Sequence, residues 1–131
     1  MTRFNISLKD SVDMVLWSLK NAMGGEIVIP KIPSYKIMDL LKATQNDKNF
    51  KIVGIRLGEK INEELIGVSD AINTIDIGKY YITLQTKNDK KILAHYKKFD
   101  YKNLKSDFSY NSGNNRKFLT VSELKKIVKN I

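Results

Sequence analysis

The side chains able to do chemistry gather around one stretch of this 131-residue chain, Ile52 to Ile66, IVGIRLGEKINEELI. Lys51-Ile52-Val53-Gly54-Ile55 has the β-branched content of a buried strand, and Gly58 can adopt the positive φ needed where that strand turns. Arg56 is therefore expected at a strand's end. Open α/β sheets collect ligands at that edge, and a guanidinium there can hold a phosphate through two hydrogen bonds. A surface charge or ion-pair partner is the competing role for such an arginine. Glu63-Glu64 could suggest acid/base work, but neighbours on a helix point in different directions, so a solvated acidic, helix-like turn is expected.

The other chemically suggestive residues lead nowhere. His95 is the single histidine and has no carboxylate at metal-ligand spacing, which makes it a strand or surface residue rather than a ligand or base. Tyr101 and Lys105 have the Tyr-x-x-x-Lys spacing of short-chain dehydrogenases. With six tyrosines and twenty lysines in the chain, that spacing arises by chance, and here it falls in loop-like sequence. No GxGxxG or GxxxxGK[ST] phosphate loop occurs. No catalytic residue, cofactor site or metal site is assigned.

The elements that must position Arg56 can be read in order. Ser7 and Asp10 have capping-box spacing, so a helix is expected to begin there. Leu8, Val12, Val15, Leu16, Leu19 and Met23 form its inward stripe, with Met14 and Trp17 at the margin and Gly24-Gly25 as the stop. Glu26 to Pro30 reads as a short buried strand. Ser34 is expected to cap a second helix, with Ile37, Leu40 and Leu41 inward and Asn46-Asp47 at its end. With the strand before Arg56, this alternation predicts an α/β domain whose parallel strands are joined by helical crossovers. Farther on, Tyr80 to Thr86 predicts a strand, Lys91 to Tyr96 a strand pairing with it across a turn at Asn88-Asp89, and Phe99 to Arg116 a loop. Thr120-Val121-Ser122-Glu123 is a second capping box, opening a terminal helix with Leu124, Ile127, Val128 and Ile131 as its apolar stripe.

Length and composition fit one globular domain over residues 1–131, with 42% hydrophobic and 28% charged residues. The absence of cysteine excludes disulfides and thiolate metal sites, and cytoplasm is the expected compartment. Asp10 and Asp13 interrupt the apolar-rich segment near the start, so neither a signal peptide nor a membrane span is expected. The net charge of +9 rests on scattered lysines, with only Arg3, Arg56 and Arg116 as arginines. That distribution reads as solvated surface. A small basic nucleic-acid binder, carried by the lysine density from Lys87 to Lys105, is retained as an alternative.

Several ordered segments together resemble one family. Met1-Thr2-Arg3-Phe4, Gly25 to Ser34 (GEIVIPKIPS), Gly54 to Lys60 (GIRLGEK), Glu63 to Ile66, Tyr80-Tyr81-Ile82, Tyr110-Asn111-Ser112 and Phe118 to Leu124 resemble the C-terminal part of UDP-N-acetylglucosamine 4,6-dehydratases. These are extended short-chain dehydrogenases of bacterial surface-sugar biosynthesis. The Pro-Lys-Ile-Pro-Ser segment is most similar to the inverting branch that starts pseudaminic-acid synthesis.

The resemblance implies the substrate-binding portion of such an enzyme, with the Rossmann half and its catalytic residues absent. By that likeness the chain reads as a carboxyl-terminal piece from a split or truncated frame or an excised domain. Arg3 and Arg56 would hold the UDP-sugar diphosphate, Glu59 would accept hydrogen bonds from ribose hydroxyls, and Lys31 would stand at the nucleotide's rim. The full enzyme would use NADP to oxidise C4, lose water across C5 and C6 and return hydride at C6, whereas this chain alone would bind no cofactor. A separate Rossmann-domain subunit is a further implied partner, on which the chain could act as a docking module. Leu57 stands where the family has proline, and Asn62 where it tends to have histidine.

Overall fold

A computed structural model describes residues 1–44 and 50–129. In chain order the elements are β1 (Thr2–Phe4), α1 (Leu8–Asn21), β2 (Ile27–Pro30), β3 (Ser34–Lys36), α2 (Ile37–Thr44), β4 (Glu64–Ile66), α3 (Val68–Ala71), β5 (Thr74–Asp76), β6 (Tyr80–Thr83), α4 (Lys90–Tyr96), β7 (Lys102–Asn103), β8 (Tyr110–Asn111) and α5 (Val121–Lys129). The class is α/β, as expected. The chain divides into two compact units: Met1–Asn5, Ile32–Glu64 and Asn111–Ile131 form the first, and Ile6–Lys31 with Leu65–Tyr110 the second.

The second unit is built on an antiparallel sheet of order β2-β6-β5-β7, where parallel strands with crossovers were expected. Chain length decides this. β5 and β6 are joined by a tight hairpin closed by the Ile77 N–H on the Tyr80 carbonyl at 3.0 Å, and a parallel pair needs a connection of a dozen residues or more. Tyr80, Ile82 and Leu84 alternate into the core of this unit, where they meet Ile75, Ile77 and Tyr96.

Two helical expectations are corrected here. The stripe Leu8, Val12, Val15, Leu16, Leu19 and Met23 does not face the core: all six side chains are exposed, and Leu8 and Leu19 show 82% and 79% of their surface. The opposite face of α1 packs instead, through Met14 and Trp17. The indole lies 4.8 Å from the Tyr80 ring and 5.5 Å from Phe99, so the largest apolar side chain of the helix chose the buried side. The segment Lys91 to Tyr96 is helical, not extended. Asp89 accepts N–H bonds from Lys91 (2.9 Å) and Ile92 (3.1 Å), and the resulting helix turns Ile92, Leu93 and Tyr96 onto the core.

In the first unit β1 and β3 form an antiparallel ribbon, with Arg3 opposite Tyr35, and α2 packs on α5. Ser34 is a fully buried strand residue rather than a helix cap. Its N–H reaches the Lys117 carbonyl (2.8 Å), its carbonyl takes the Leu119 N–H (2.7 Å), and its hydroxyl accepts from Asn115 Nδ2 (2.9 Å). Those partners lie some eighty residues away, beyond any local cue. The Thr120 capping box forms as expected, and Ser7 caps α1 by accepting the Asp10 N–H while its hydroxyl donates to the Asp10 carboxylate, whereas the expected helix end at Asn46-Asp47 and the contribution of Ile131 lie outside the described residues.

The expected strand at Lys51 to Ile55 is absent. These residues have no ladder partner and are exposed, and the backbone at Gly54 (φ +83°) departs from extended geometry. β-propensity measures fit to a pleated, half-buried surface, and here no such surface receives the segment.

Glu26 braces the turn between α1 and β2. Its carboxylate accepts the N–H groups of Met23 (2.9 Å) and Gly24 (2.6 Å) and the hydroxyl of the fully buried Tyr96 (3.1 Å). Partial burial alone would raise its pKa, but these donors outweigh burial and hold it below the usual carboxylate value. Burial above all, and then the Glu26 carboxylate, raises the Tyr96 phenol. A depressed folded-state pKa stabilises the fold above the unfolded-state value near 4.5 and ceases to do so as pH falls through the folded-state value. We therefore expect Glu26→Gln to lower stability at pH 7 and to flatten the acid limb of a urea-denaturation pH series; an unchanged acid limb would refute this role.

Candidate functional site

The candidate site belongs to the first unit, and its centre is the turn Arg56-Leu57-Gly58-Glu59. The Glu59 N–H bonds the Arg56 carbonyl at 3.0 Å, and Gly58 takes φ +81° at the third position, which is open to glycine and costly for other residues. Leu57 sits at the position where such turns favour proline and is fully exposed. Glu59 closes the loop from its side chain: Oε2 accepts the Arg56 N–H at 3.1 Å, and Oε1 lies 3.9 Å from Nη2 of Arg3. Glu59 thus joins the backbone of one predicted phosphate ligand to the guanidinium of the other.

Arg3 is held on several sides. Nη1 donates to the carbonyls of Thr2 (2.7 Å) and Ile61 (3.3 Å), and Nε stands 3.6 Å from Oε1 of Glu63. Glu63 Oε2 also accepts the Phe4 N–H at 2.7 Å, so this carboxylate ties β1 to the residues following the turn. The guanidinium of Arg56 has no ion-pair partner among the described residues and faces solvent.

Beside Arg3 runs a polar chain centred on the buried Thr2 and Ser112. The Thr2 hydroxyl donates to Asn62 Oδ1 (2.7 Å) and shares a 2.7 Å bond with the Ser112 hydroxyl. Ser112 Oγ takes the Glu63 N–H at 2.8 Å, and the Ser112 N–H returns to the Glu63 carbonyl at 2.7 Å. Asn62 lies so close to Gly113 that a Cβ there would meet its amide nitrogen at 2.6 Å, which explains a glycine at that position.

Sequence reasoning missed the role of Glu63. The residues around Glu63-Glu64 are not helix-like: they run into β4, where successive side chains take opposite faces, so Glu63 turns to Arg3 and Phe4 while Glu64 stays exposed. The mutual hydrogen bonding of Thr2, Asn62 and Ser112 was not foreseen either, because their spacing along the chain carries no local signal. Lys31 lies in the second unit, where it pairs with Asp76 and holds its ammonium 4.4 Å from the Tyr81 ring centroid. A cleft of about 240 Å³ in that unit, lined by Asp76, Ile77, Phe99, Asp100 and Lys102 among others, includes none of the candidate residues.

The fit of a dinucleotide cofactor can be tested on the chain itself. Among the described residues, the one direct strand–glycine–helix junction is Ile66-Gly67-Val68, with a single glycine and a four-residue helix. The Gly67 N–H is 3.3 Å from the Asp70 carboxylate, which would repel a phosphate. This junction does not fit the pyrophosphate of a dinucleotide. No helix among the described residues is long and apolar enough to cross a membrane.

Comparison with known proteins adds three findings. The family model described as polysaccharide biosynthesis protein matches residues 1–85. A UDP-N-acetylglucosamine 4,6-dehydratase (inverting) of Campylobacter jejuni is 41% identical over 98% of this chain and 40% of its own length, and a UDP-glucose 4-epimerase of Rickettsia akari is 34% identical over 98% and 38%. The X-ray structure of Pen from Bacillus thuringiensis shares the fold with a TM-score of 0.75, at 23% identity, over 99% of this chain and 39% of that one. The chain thus spans about two fifths of the length of the curated relatives it matches.

The buried hydroxyl of Ser112 is the most sensitive joint of the site. Ser112→Ala leaves the Glu63 N–H without its buried acceptor and should cost about 1–3 kcal/mol in urea denaturation. A change within about 0.5 kcal/mol would show that the polar chain does not hold the site together.

Proposed function

The chain belongs to the polysaccharide biosynthesis protein family, and on that premise we propose that it is the sugar-nucleotide-binding portion of a UDP-N-acetylglucosamine 4,6-dehydratase, of the inverting type that leads toward pseudaminic acid. The observation that carries this reading is the Glu59 carboxylate linking the Arg56 turn to the Arg3 guanidinium. Both arginines are thereby tied to one short turn.

A diphosphate is a multiply charged acceptor with paired oxygens, and guanidinium forks match it in charge and geometry. Arg56, whose side chain has no carboxylate partner among the described residues, is the group first available to it. Arg3 engages as the anion displaces its ion pairs with Glu59 and Glu63, both of them partly exposed and individually weak. Glu59, released from Arg3, can accept from ribose hydroxyls while still closing its turn on the Arg56 N–H. Lys31 belongs to the other unit and is paired with Asp76, so we give it the smallest share.

The carboxylates beside these arginines, Glu59 and Glu63, are both engaged with Arg3, and the Ile66-Gly67-Val68 junction does not suit a dinucleotide's phosphates. The reacting groups are therefore assigned to a second partner, a Rossmann-type polypeptide that binds NADP, with cytoplasm as the compartment. Purified chain given NADP and UDP-N-acetylglucosamine should show no turnover, and turnover would refute this division of labour.

Calorimetry with UDP-N-acetylglucosamine tests the site. Arg56→Ala should weaken binding at least about tenfold, the loss expected for charge-assisted hydrogen bonds worth about 1.5–3 kcal/mol, and Arg56→Lys should restore only part of it. Arg3→Ala should weaken binding as well. Equal affinity in the intact chain and both alanine variants, or no binding by the folded intact chain, would overturn the proposal.

A further inference from the structure

A guanidinium can fork onto an oxyanion through its Nη1/Nη2 end or through its Nε/Nη2 edge, and in Arg3 the protein has taken the first of these. Nη1 donates to the carbonyls of Thr2 at 2.7 Å and Ile61 at 3.3 Å, which leaves the Nε/Nη2 edge for a ligand. Two carboxylate oxygens stand at that edge. Oε1 of Glu63 lies 3.6 Å from Nε, and Oε1 of Glu59 lies 3.9 Å from Nη2. Both separations are longer than a hydrogen bond, so the two glutamates bring charge to the edge without the short paired contacts of a true fork. The edge is occupied but not saturated.

Of the two glutamates, Glu63 is the one held in place. Its Oε2 accepts the Phe4 N–H at 2.7 Å, while its own N–H and carbonyl are both bonded to the buried Ser112, at 2.8 and 2.7 Å. An anion arriving at Arg3 can take the position of Oε1, yet the rest of the Glu63 carboxylate stays anchored on β1, close enough to oppose it. Arg56 has no such opponent among the described residues. We propose that Glu63 limits the affinity of the site for diphosphates: it is a positioning residue that acts through Arg3, holding the Nε/Nη2 edge in competition with the ligand. This inference rests on the functional reading above for the diphosphate as the ligand of Arg3. A ligand caught first by Arg56 completes its grip only by exchanging the Glu63 contact, so removing that one negative charge should tighten binding. A merely structural role for Glu63 predicts the opposite sign, because the loss of a brace weakens a site or leaves it unchanged.

Calorimetry on the intact chain with inorganic pyrophosphate tests this, at low ionic strength, where partly exposed charges are least screened. Glu63→Gln keeps a side-chain oxygen for the Phe4 N–H and leaves the backbone bonds to Ser112 in place. It should bind pyrophosphate about three- to fivefold more tightly, the range of a partly exposed ion pair. Glu64→Gln removes the same charge one residue later, from an exposed side chain on the opposite face, and should leave affinity as it was. In an Arg3→Ala background, Glu63→Gln should bring no gain. A reading that depends on no variant comes from nuclear magnetic resonance of the intact chain, where pyrophosphate should shift the Arg3 Nε–H signal and leave the Phe4 amide signal in place. Unchanged or weaker binding by Glu63→Gln, an equal gain from Glu64→Gln, a gain that survives without Arg3, an unmoved Arg3 signal, or no binding of pyrophosphate at all would each overturn the proposal. Parallel titrations with UDP-N-acetylglucosamine separate the two readings. Pyrophosphate tightened by Glu63→Gln with no sugar-nucleotide binding would condemn the functional reading and leave the role of Glu63 standing, whereas sugar-nucleotide binding that needs both arginines but gains nothing from Glu63→Gln would do the reverse.

Discussion

Three segments distant in sequence meet at one buried hydroxyl. Ser112 accepts the Glu63 N–H and shares a hydrogen bond with Thr2, so the strand bearing Arg3, the residues following the Arg56 turn and the loop after β8 are fixed together. Ser112 and Thr2 are buried, and away from water an unmade hydrogen bond costs more than a made one gains. The arrangement therefore tolerates little drift. Arg3 and Glu63 occupy neighbouring positions on opposite sides of this joint, which is why a side chain near the start of the chain can meet a carboxylate sixty residues later.

The electrostatics above that joint are uneven. Arg3 faces two carboxylates and two carbonyls, while the Arg56 guanidinium faces solvent with no ion-pair partner among the described residues. In the function proposed for the site, an arriving anion would exchange the partly exposed, individually weak ion pairs of Arg3 for charge-assisted contacts. Glu59 is the pivot in this exchange because its two oxygens serve different masters, the backbone of one arginine and the side chain of the other.

In the second unit the governing contact is aromatic. Trp17 against Tyr80 and Phe99 orients α1, and the Glu26 carboxylate under Tyr96 holds the turn that follows. Once the indole is buried, helix geometry sends the leucines and valines of α1 the other way. An apolar stripe that reads as core in isolation is thereby turned into surface.

Local chemistry was sufficient for much of this protein. The capping boxes at Ser7 and Thr120, the strand at Tyr80, the Arg56–Glu59 turn and the family resemblance were all legible in neighbouring residues, because caps, turns and motifs depend on groups within a few positions of one another. Arg56 could be placed before a glycine turn for the same reason, whereas Arg3 and Glu59 were singled out only through the family resemblance. Tertiary structure alone decided the rest. Whether Lys51 to Ile55 became a strand depended on a partner strand that never arrived, and whether Lys90 to Tyr96 coiled depended on the Asp89 cap together with a core that wanted Ile92, Leu93 and Tyr96 on one side. The burial of Ser34, the turning of Glu63 toward Arg3 and the outward face of α1 all follow from contacts between residues far apart in the chain. A pattern of side chains states which face is apolar, but only the packed structure states what that face meets.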